Sequence, residues 1–341
     1  MREEVPGIFK AELTDDRMSN GKIHIYLIPG RPGRRSLMID AGFCRPQCLK
    51  SLQDVLGELG IPIDSLDVFL THKHSDHCGL AYAFGKLGAR LFMNPQENRH
   101  GYDCLYYSSG RRARQEQEQV LAAVGITPEG TPRLWEMMRE AGRQSGPGSS
   151  WEYDCPLFDF FPVRAGQRLE YGDFRFETVP LPGHTLGQMG LADYGRRLFF
   201  CGDQILNAIV PIVGTSYPGE GILGKYFESL EQIKHTFKGW TVLPAHNGPI
   251  EDVGRVVDRI VFSYLDKTYM MQRILKHGRR PMTVLETACL AYGMPGLPAD
   301  GAQLVKLKMV ISKTFSCLEY LYDKDFALRE ERAGTLYWSA P

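Results

Sequence analysis

Apolar and polar positions change period several times along the chain, and each change marks an element. Residues 22–29 (KIHIYLIP) and 36–39 (SLMI) are short apolar runs on either side of a Gly/Pro/Arg turn at 30–35, and they predict two strands. Residues 49–59 switch to helical spacing, with Leu52, Val55, Leu56 and Leu59 on one face. Residues 66–70 (LDVFL) read as a buried strand, 80–87 as a helix and 90–93 as a further strand. This alternation is the mark of an α/β layered fold. Further on, 168–170, 174–179, 187–192, 198–200 and 241–243 predict short strands, with a helix over 225–238. Short strands broken by glycine fit a core of two sheets.

Two stretches depart from that rhythm. Residues 95–163 are helical at 114–124 and 132–143, with a flexible connector at 142–150 (GRQSGPGSS). They carry many aromatics: Tyr102, Tyr106, Tyr107, Trp135, Trp151, Tyr153, Phe158, Phe160 and Phe161. We read a helical insert inside a first domain of residues 1–262. Covering a site and packing or dimerising on its own apolar face are both open to it. From 263 the chain changes again. A helix over 264–276 is followed by Thr283-x-x-Glu286, a capping box that opens a helix stopping at Gly293. Leu304, Leu307, Ile311, Phe315, Leu318 and Leu321 mark a third helix, and 326–329 with 335–339, joined through Gly334, predict a hairpin. Three helices and a hairpin give 263–341 the layout of a small winged-helix-like C-terminal domain.

Composition then narrows the function classes. Forty Lys+Arg balance forty Asp+Glu among 341 residues, and 43% of the chain is hydrophobic. That fraction fills a core and excludes disorder as the main state. Charge balance argues against a DNA-coating protein and a polybasic membrane binder. The stretch 263–341 has 11 basic against 8 acidic residues, a weak surplus for nucleic acid. No apolar run approaches the ~18–20 residues of a membrane span, and Met1-Arg2-Glu3-Glu4 does not open a signal peptide. The eight cysteines are scattered from Cys44 to Cys317 without a CxxC pair. They predict reduced thiols and a cytoplasmic protein.

The chemistry is concentrated at Thr71-His72-Lys73-His74-Ser75-Asp76-His77, directly after a predicted buried strand. Three of the chain's nine histidines and a carboxylate fall within six residues there. Imidazole and carboxylate are the donors that borderline divalent metals prefer. His72 and His74, two apart, can be aimed at one metal by an irregular loop, leaving Asp76 and His77 to face a neighbouring position. His184 in PGHT, Asp203 in CGD and His246 in PAHNG each follow a predicted strand. Strand-to-loop exits are where functional groups gather.

The ordered set HKHSDH, PGHT, CGD and PAHNG, with MIDAGF before it, resembles the metallo-β-lactamase superfamily over roughly residues 20–255. The resemblance implies an αββα four-layer sandwich with a metal site at one edge of its sheets. It implies that His72, His74 and His184 hold one metal, that Asp76, His77 and His246 hold a second, and that Asp203 bridges both. Asp203 stands where many zinc β-lactamases have Cys, which argues against antibiotic hydrolysis. His74 stands where flavodiiron proteins have Glu, which argues against a redox role. The set is similar to glyoxalase II-like thioesterases, lactonases and tRNA-processing nucleases. With the C-terminal layout, the chain looks like the branch of β-lactamase-like endoribonucleases and acyl-thioester hydrolases. Cys78-Gly79-Leu80 departs from the frequent x-Gly-Gly, and Cys78 and Cys201, beside ligands, read as structural.

Two divalent cations are therefore expected, zinc first, with iron or manganese accepted by the same donors. The expected activity is hydrolysis of a small thioester or ester by a hydroxide bridging the metals, with Asp76 and Asp203 as the catalytic carboxylates. A metal-dependent endoribonuclease or phosphodiesterase, and a non-catalytic ligand-binding or regulatory module, are the alternatives. The expected partners are a small-molecule substrate and, for the insert, a second copy in a homodimer, with no membrane partner and nucleic acid ranked lower.

Overall fold

The computed structural model describes residues 1–15, 21–97, 110–143, 158–215 and 217–341, with the side chains of 110–114, 116, 142 and 143 left out. Tyr102, Tyr106, Tyr107, Trp151, Tyr153, Cys104, Cys155 and most of the connector at 142–150 therefore lie outside the described residues. The chain divides into two compact units. One takes Met1–Gly101, Glu152–Pro211 and Ser229–Val257; the other takes Tyr102–Trp151, Ile212–Glu228 and Asp258–Pro341.

The first unit holds two mixed sheets. The strands of the first are β1 (Arg2–Val5), β2 (Ile8–Thr14), β3 (Lys22–Ile28), β4 (Ser36–Ile39), β5 (Leu66–Phe69), β6 (Arg90–Met93) and β7 (Phe161–Pro162), hydrogen-bonded in that order. Pairing is antiparallel from β1 to β4 and parallel from β4 to β7. The second sheet takes β8 (Arg168–Tyr171), β9 (Phe174–Pro180), β10 (Met189–Asp193), β11 (Leu198–Gly202) and β12 (Thr241–Pro244), antiparallel except for the parallel pair β11–β12. The helices are α1 (Pro46–Glu58), α2 (Ser75–Cys78), α3 (Ala81–Lys86), α4 (Gly110–Ala123), α5 (Pro132–Arg143), α6 (Ile222–Thr236), α7 (Val253–His277), α8 (Val284–Tyr292) and α9 (Gly301–Asp323).

Two apolar cores explain the layering. Ile8, Tyr26, Ile39 and Phe69 of the first sheet pack with Phe174, Phe176, Leu191 and Phe200 of the second. The opposite face of the first sheet, with Ile25, Met38, Val68 and Leu91, packs on Cys48, Leu52 and Leu56 of α1 and Phe84 of α3. Alternate residues along one strand thus enter different cores, as the pleat requires. On the second sheet, Phe237 beyond α6 stacks on Phe199 of β11 with ring centroids 3.8 Å apart. Helices, two sheets and helices are the α/β sandwich expected.

The hairpin β1–β2 was not predicted. In β2 the inward-pointing position Lys10 is polar, buried, and paired with Glu4 at 2.8 Å. A buried ion pair breaks the apolar alternation by which a strand is read.

In the second unit, Leu285 N donates to Val124 O at 2.9 Å, joining the end of α4 to α8. The capping box is present: Thr283 Oγ1 accepts from Glu286 N, Glu286 returns to Thr283 N, and α8 ends at left-handed Gly293. A small sheet orders β13 (Met282–Thr283), β15 (Thr335–Ser339) and β14 (Leu328–Arg332). The expected helix at 264–276 begins eleven residues earlier, so the division drawn at 262/263 falls inside α7. Among the described residues no helix is long and apolar enough to cross a membrane.

Candidate metal centre

β5 delivers Leu70 and Thr71 to the end of the parallel pair β4–β5, and the chain there breaks into a loop and the single turn α2. His77 N and Cys78 N both donate to His74 O at 2.9 Å, which closes that turn and places Asp76 and His77 beside each other. Gly79 follows because there is no room for a side chain. A Cβ at this position would lie 2.4 Å from Cys44 N and Ser75 O. Gly202, before Asp203, has φ +52°, where a glycine is favoured. Gly248, beside His246, has neither feature.

The seven residues named from the sequence converge in the first unit. His74 Nδ1 lies 2.9 Å from His72 Nε2 and 2.8 Å from His184 Nε2. Asp76 Oδ2 lies 3.3 Å from His246 Nε2 and 3.8 Å from His77 Nε2. Asp203 stands between the groups. Its Oδ2 is 3.6 Å from His184 Nε2, while Oδ1 is 3.5 Å from both His77 Nε2 and His246 Nε2. Within each of the clusters His72/His74/His184, His72/His77/Asp203 and Asp76/His77/His246, the candidate ligand atoms lie within 4.8 Å of one another.

Hydrogen bonds aim these rings. Asp40 accepts from Thr71 N at 2.8 Å and from Thr71 Oγ1 at 2.9 Å, and its Oδ2 accepts from His77 Nδ1 at 2.8 Å. Thr71 Oγ1 in turn accepts from His72 Nδ1 at 3.0 Å. His246 Nδ1 donates to the carbonyl of Lys22. Each bond engages Nδ1, so the Nε2 atoms of His72, His77 and His246 are left facing inward, the nitrogen through which each ring could hold a metal.

Electrostatics differ between the clusters. Burial, with neighbouring imidazoles, pushes His72 and His74 well below the ordinary histidine range. Burial also opposes the charged form of His77, but Asp40, Asp203 and Asp76 outweigh it and raise that ring well above the range. His246 rises to about 9 against its own burial, through Asp203 and Asp76. Burial alone would raise Asp76 and Asp203; the imidazoles of His77 and His246 hold both below the carboxylate range. His77 Nε2 and Asp203 Oδ1 are buried without a hydrogen-bond partner among the described residues. Such atoms are costly unless something satisfies them, and a cation between them would do so. The donor set therefore fits a binuclear metal site.

Three supporting residues were not singled out from the sequence. Asp40 is the third residue of the MIDAGF run, with φ 63°; its place directly after a strand was the available signal. Glu97 accepts from Lys73 N at 2.8 Å and Gly187 N at 2.6 Å. Gln204 accepts from His184 N at 3.3 Å and donates to Pro182 O at 3.1 Å and Ser229 Oγ at 2.8 Å. Nothing local in the sequence marks the last two. Cys78 Sγ donates to Lys73 O, and Cys201 lies among backbone carbonyls, its thiol pushed up by burial. Neither falls in the ligand clusters.

Comparisons with known proteins bear on the family and the fold. Over 328 residues, 93% of this chain and 91% of the relative, the sequence is 22% identical to the "Probable metallo-hydrolase YqjP" of Bacillus subtilis. A shorter match, 35% identical over 85 residues, links 25% of this chain to 31% of a hydroxyacylglutathione hydrolase of Vibrio cholerae. The fold is shared with the metallo-beta-lactamase family protein TTHA1429 of Thermus thermophilus (TM-score 0.76, 21% identity, 99% of both chains). It is shared equally with a beta-lactamase domain protein of Burkholderia ambifaria (TM-score 0.79, 19% identity, 100% of this chain and 94% of that one). The model of the metallo-beta-lactamase superfamily matches residues 20–246, a span containing every ligand candidate, and the chain belongs to that superfamily.

Proposed function

We propose that this chain is a binuclear metal-dependent hydrolase acting on a small thioester or ester. The observation that carries the proposal is the position of Asp203, one oxygen facing each ligand cluster. His72, His74 and His184 would hold one cation, Asp76, His77 and His246 the other, and Asp203 both. Zinc is the first choice, and iron or manganese suits the same donors. When bound, such a pair lowers the pKa of water to about 7 and polarises the scissile carbonyl. The chain's own residues do the rest. Asp40 and Thr71 hold the imidazoles with Nε2 turned inward, and Asp76, as ligand and hydrogen-bond acceptor, would orient the attacking water.

Two observations support the thioester class and a third supports hydrolysis. The chain carries no basic surplus. The Vibrio relative is named for hydrolysis of a hydroxyacylglutathione, itself a thioester. The Bacillus relative, matched over nearly its full length, bears the name "Probable metallo-hydrolase". The helices and small sheet of 263–341 are, in this reading, a winged-helix-like accessory to the hydrolytic part rather than a nucleic-acid reader.

A panel of acyl-CoA, acyl-glutathione and lactone substrates tests the proposal. Turnover by the zinc-loaded chain, lost in His74→Ala, is the expected result. Turnover no higher than that variant on every substrate would overturn it. Salt-dependent RNA binding accompanied by cleavage would move the assignment to a nuclease.

A further inference from the structure

We infer that Glu97 is the positioning residue of the three-histidine cluster, setting cation affinity at His72/His74/His184 but not at Asp76/His77/His246. The inference rests on the binuclear reading above. Glu97 ends the 3₁₀ turn Pro95–Glu97 that follows β6, and it is 2% exposed. A carboxylate so deeply buried is costly unless its lone pairs are used. Here they are used on two backbone amides: Oε2 accepts from Lys73 N at 2.8 Å and Oε1 from Gly187 N at 2.6 Å.

The places of those amides matter. Lys73 lies between His72 and His74, and Gly187 is three residues past His184. One side chain thus ties together the two loops that carry the three histidines. Asn94, directly before that turn, donates through Nδ2 to Gly187 O at 2.8 Å, so the N–H and the C=O of Gly187 are both held. The fit leaves no slack: a Cβ on Gly187 would stand 2.6 Å from Glu97 Oε1 and 2.9 Å from Glu97 N.

The other cluster has separate supports. His77 is held by Asp40, and His246 by the carbonyl of Lys22. No hydrogen bond among the described residues links Glu97 to Asp40, His77 or His246. A carboxylate suits this strut because it has two acceptor ends for two donors. An amide of the same shape would turn an N–H₂ towards one of them.

The test is a titration of the metal-free full-length chain with Co(II), following absorption of each uptake step. His74→Ala and His77→Ala identify the steps by removing one ligand from each cluster. In Glu97→Gln the step lost in His74→Ala should weaken by about 10–100-fold, as when a metal-bound histidine loses its outer support. The step lost in His77→Ala should be unchanged, and the Co(II) spectrum of the three-histidine site should shift. Gly187→Ala keeps the carboxylate and displaces its partner; it carries the same expectation and decides the matter if Glu97→Gln does not fold. Equal weakening of both steps, or of neither, would overturn the role assigned to Glu97. A wild-type chain that takes up no Co(II) would instead overturn the binuclear reading itself.

Discussion

Two aspartates at opposite ends of the same parallel strands show how this sheet separates structure from chemistry. Asp67, second residue of β5, sits at the N-terminal end of the β4–β5 pair; Asp40 follows β4 at the C-terminal end, its N–H donating to Phe69 O. Both are 1% exposed. Asp67 is saturated with donors: Arg35 at 2.5 Å, Arg90 at 2.7 and 2.5 Å, and the hydroxyl of Tyr171 at 2.8 Å. Its charge is cancelled where it lies, and Tyr171 ties the second sheet to the first. Among the described residues, Asp40 forms no ion pair with an arginine. It accepts from Thr71 and from His77 Nδ1, and the chain of bonds ends at His77 Nε2, which has no hydrogen-bond partner among the described residues. A closed network holds two sheets together, whereas an open one presents a ligand. Residue type and burial are the same; only the partners differ.

Four experiments would break or sharpen that contrast. The largest effect is expected at Asp203, which the open network serves. Asp203→Ala should abolish binding of the paired cations and lower kcat/KM on the order of 10³-fold, about 4 kcal/mol of transition-state stabilisation. Metal analysis with steady-state kinetics measures both, and retention of two cations would show that the carboxylate is not shared. Next, Asp67→Asn should cost about 1.5–3 kcal/mol of stability, because the partly exposed guanidiniums lose a charged acceptor. Urea unfolding reads this, and cation uptake should not change. If uptake fell as well, the two ends of the sheet would not be separable.

Asp40→Asn should do the reverse. Asn tolerates the left-handed backbone, so unfolding should move little while the cation step that needs His77 weakens by about 10–100-fold. A drop in stability equal to that of Asp67→Asn would erase the distinction.

The smallest effect is a pH dependence. Burial would raise the pKa of Asp67, but hydrogen bonds from Arg90, Tyr171 and Arg35 outweigh it, so the folded value lies below the unfolded one. A depressed carboxyl pKa contributes stability that is complete above the unfolded value, near 3.9, and is lost as pH falls through it towards the folded value. The acid limb of the stability curve should therefore flatten in Asp67→Asn. An unaltered limb would mean that Asp67 is not the group being titrated.

Much of the candidate centre was legible beforehand because its signal is local. His72, His74, Asp76 and His77 fall within six residues of one another, and PGHT, CGD and PAHNG each follow an apolar strand. Helix α1, strands β3 to β6 and the capping box of α8 were legible for the same reason: period and capping need only a few neighbours. What escaped depends on residues far apart. Glu97 meets Gly187 across 90 positions and Asp40 meets His77 across 37. The hairpin β1–β2 was hidden by the buried Lys10–Glu4 pair, and the true start of α7 by the absence of any break at Val253 other than the helix itself.

The sequence by itself determined which atoms could bind a cation, since donor chemistry belongs to side chains and survives any fold. It also determined the layered α/β class, because the alternation of periods admits few other arrangements. The tertiary structure alone decided which donors share a centre, that Asp203 turns one oxygen to each cluster, and which of two equally buried aspartates serves chemistry. Those properties are distances between strands that the chain brings together only after pairing. A carboxylate becomes strut, ion-pair partner or ligand support according to the donors that pairing sets around it.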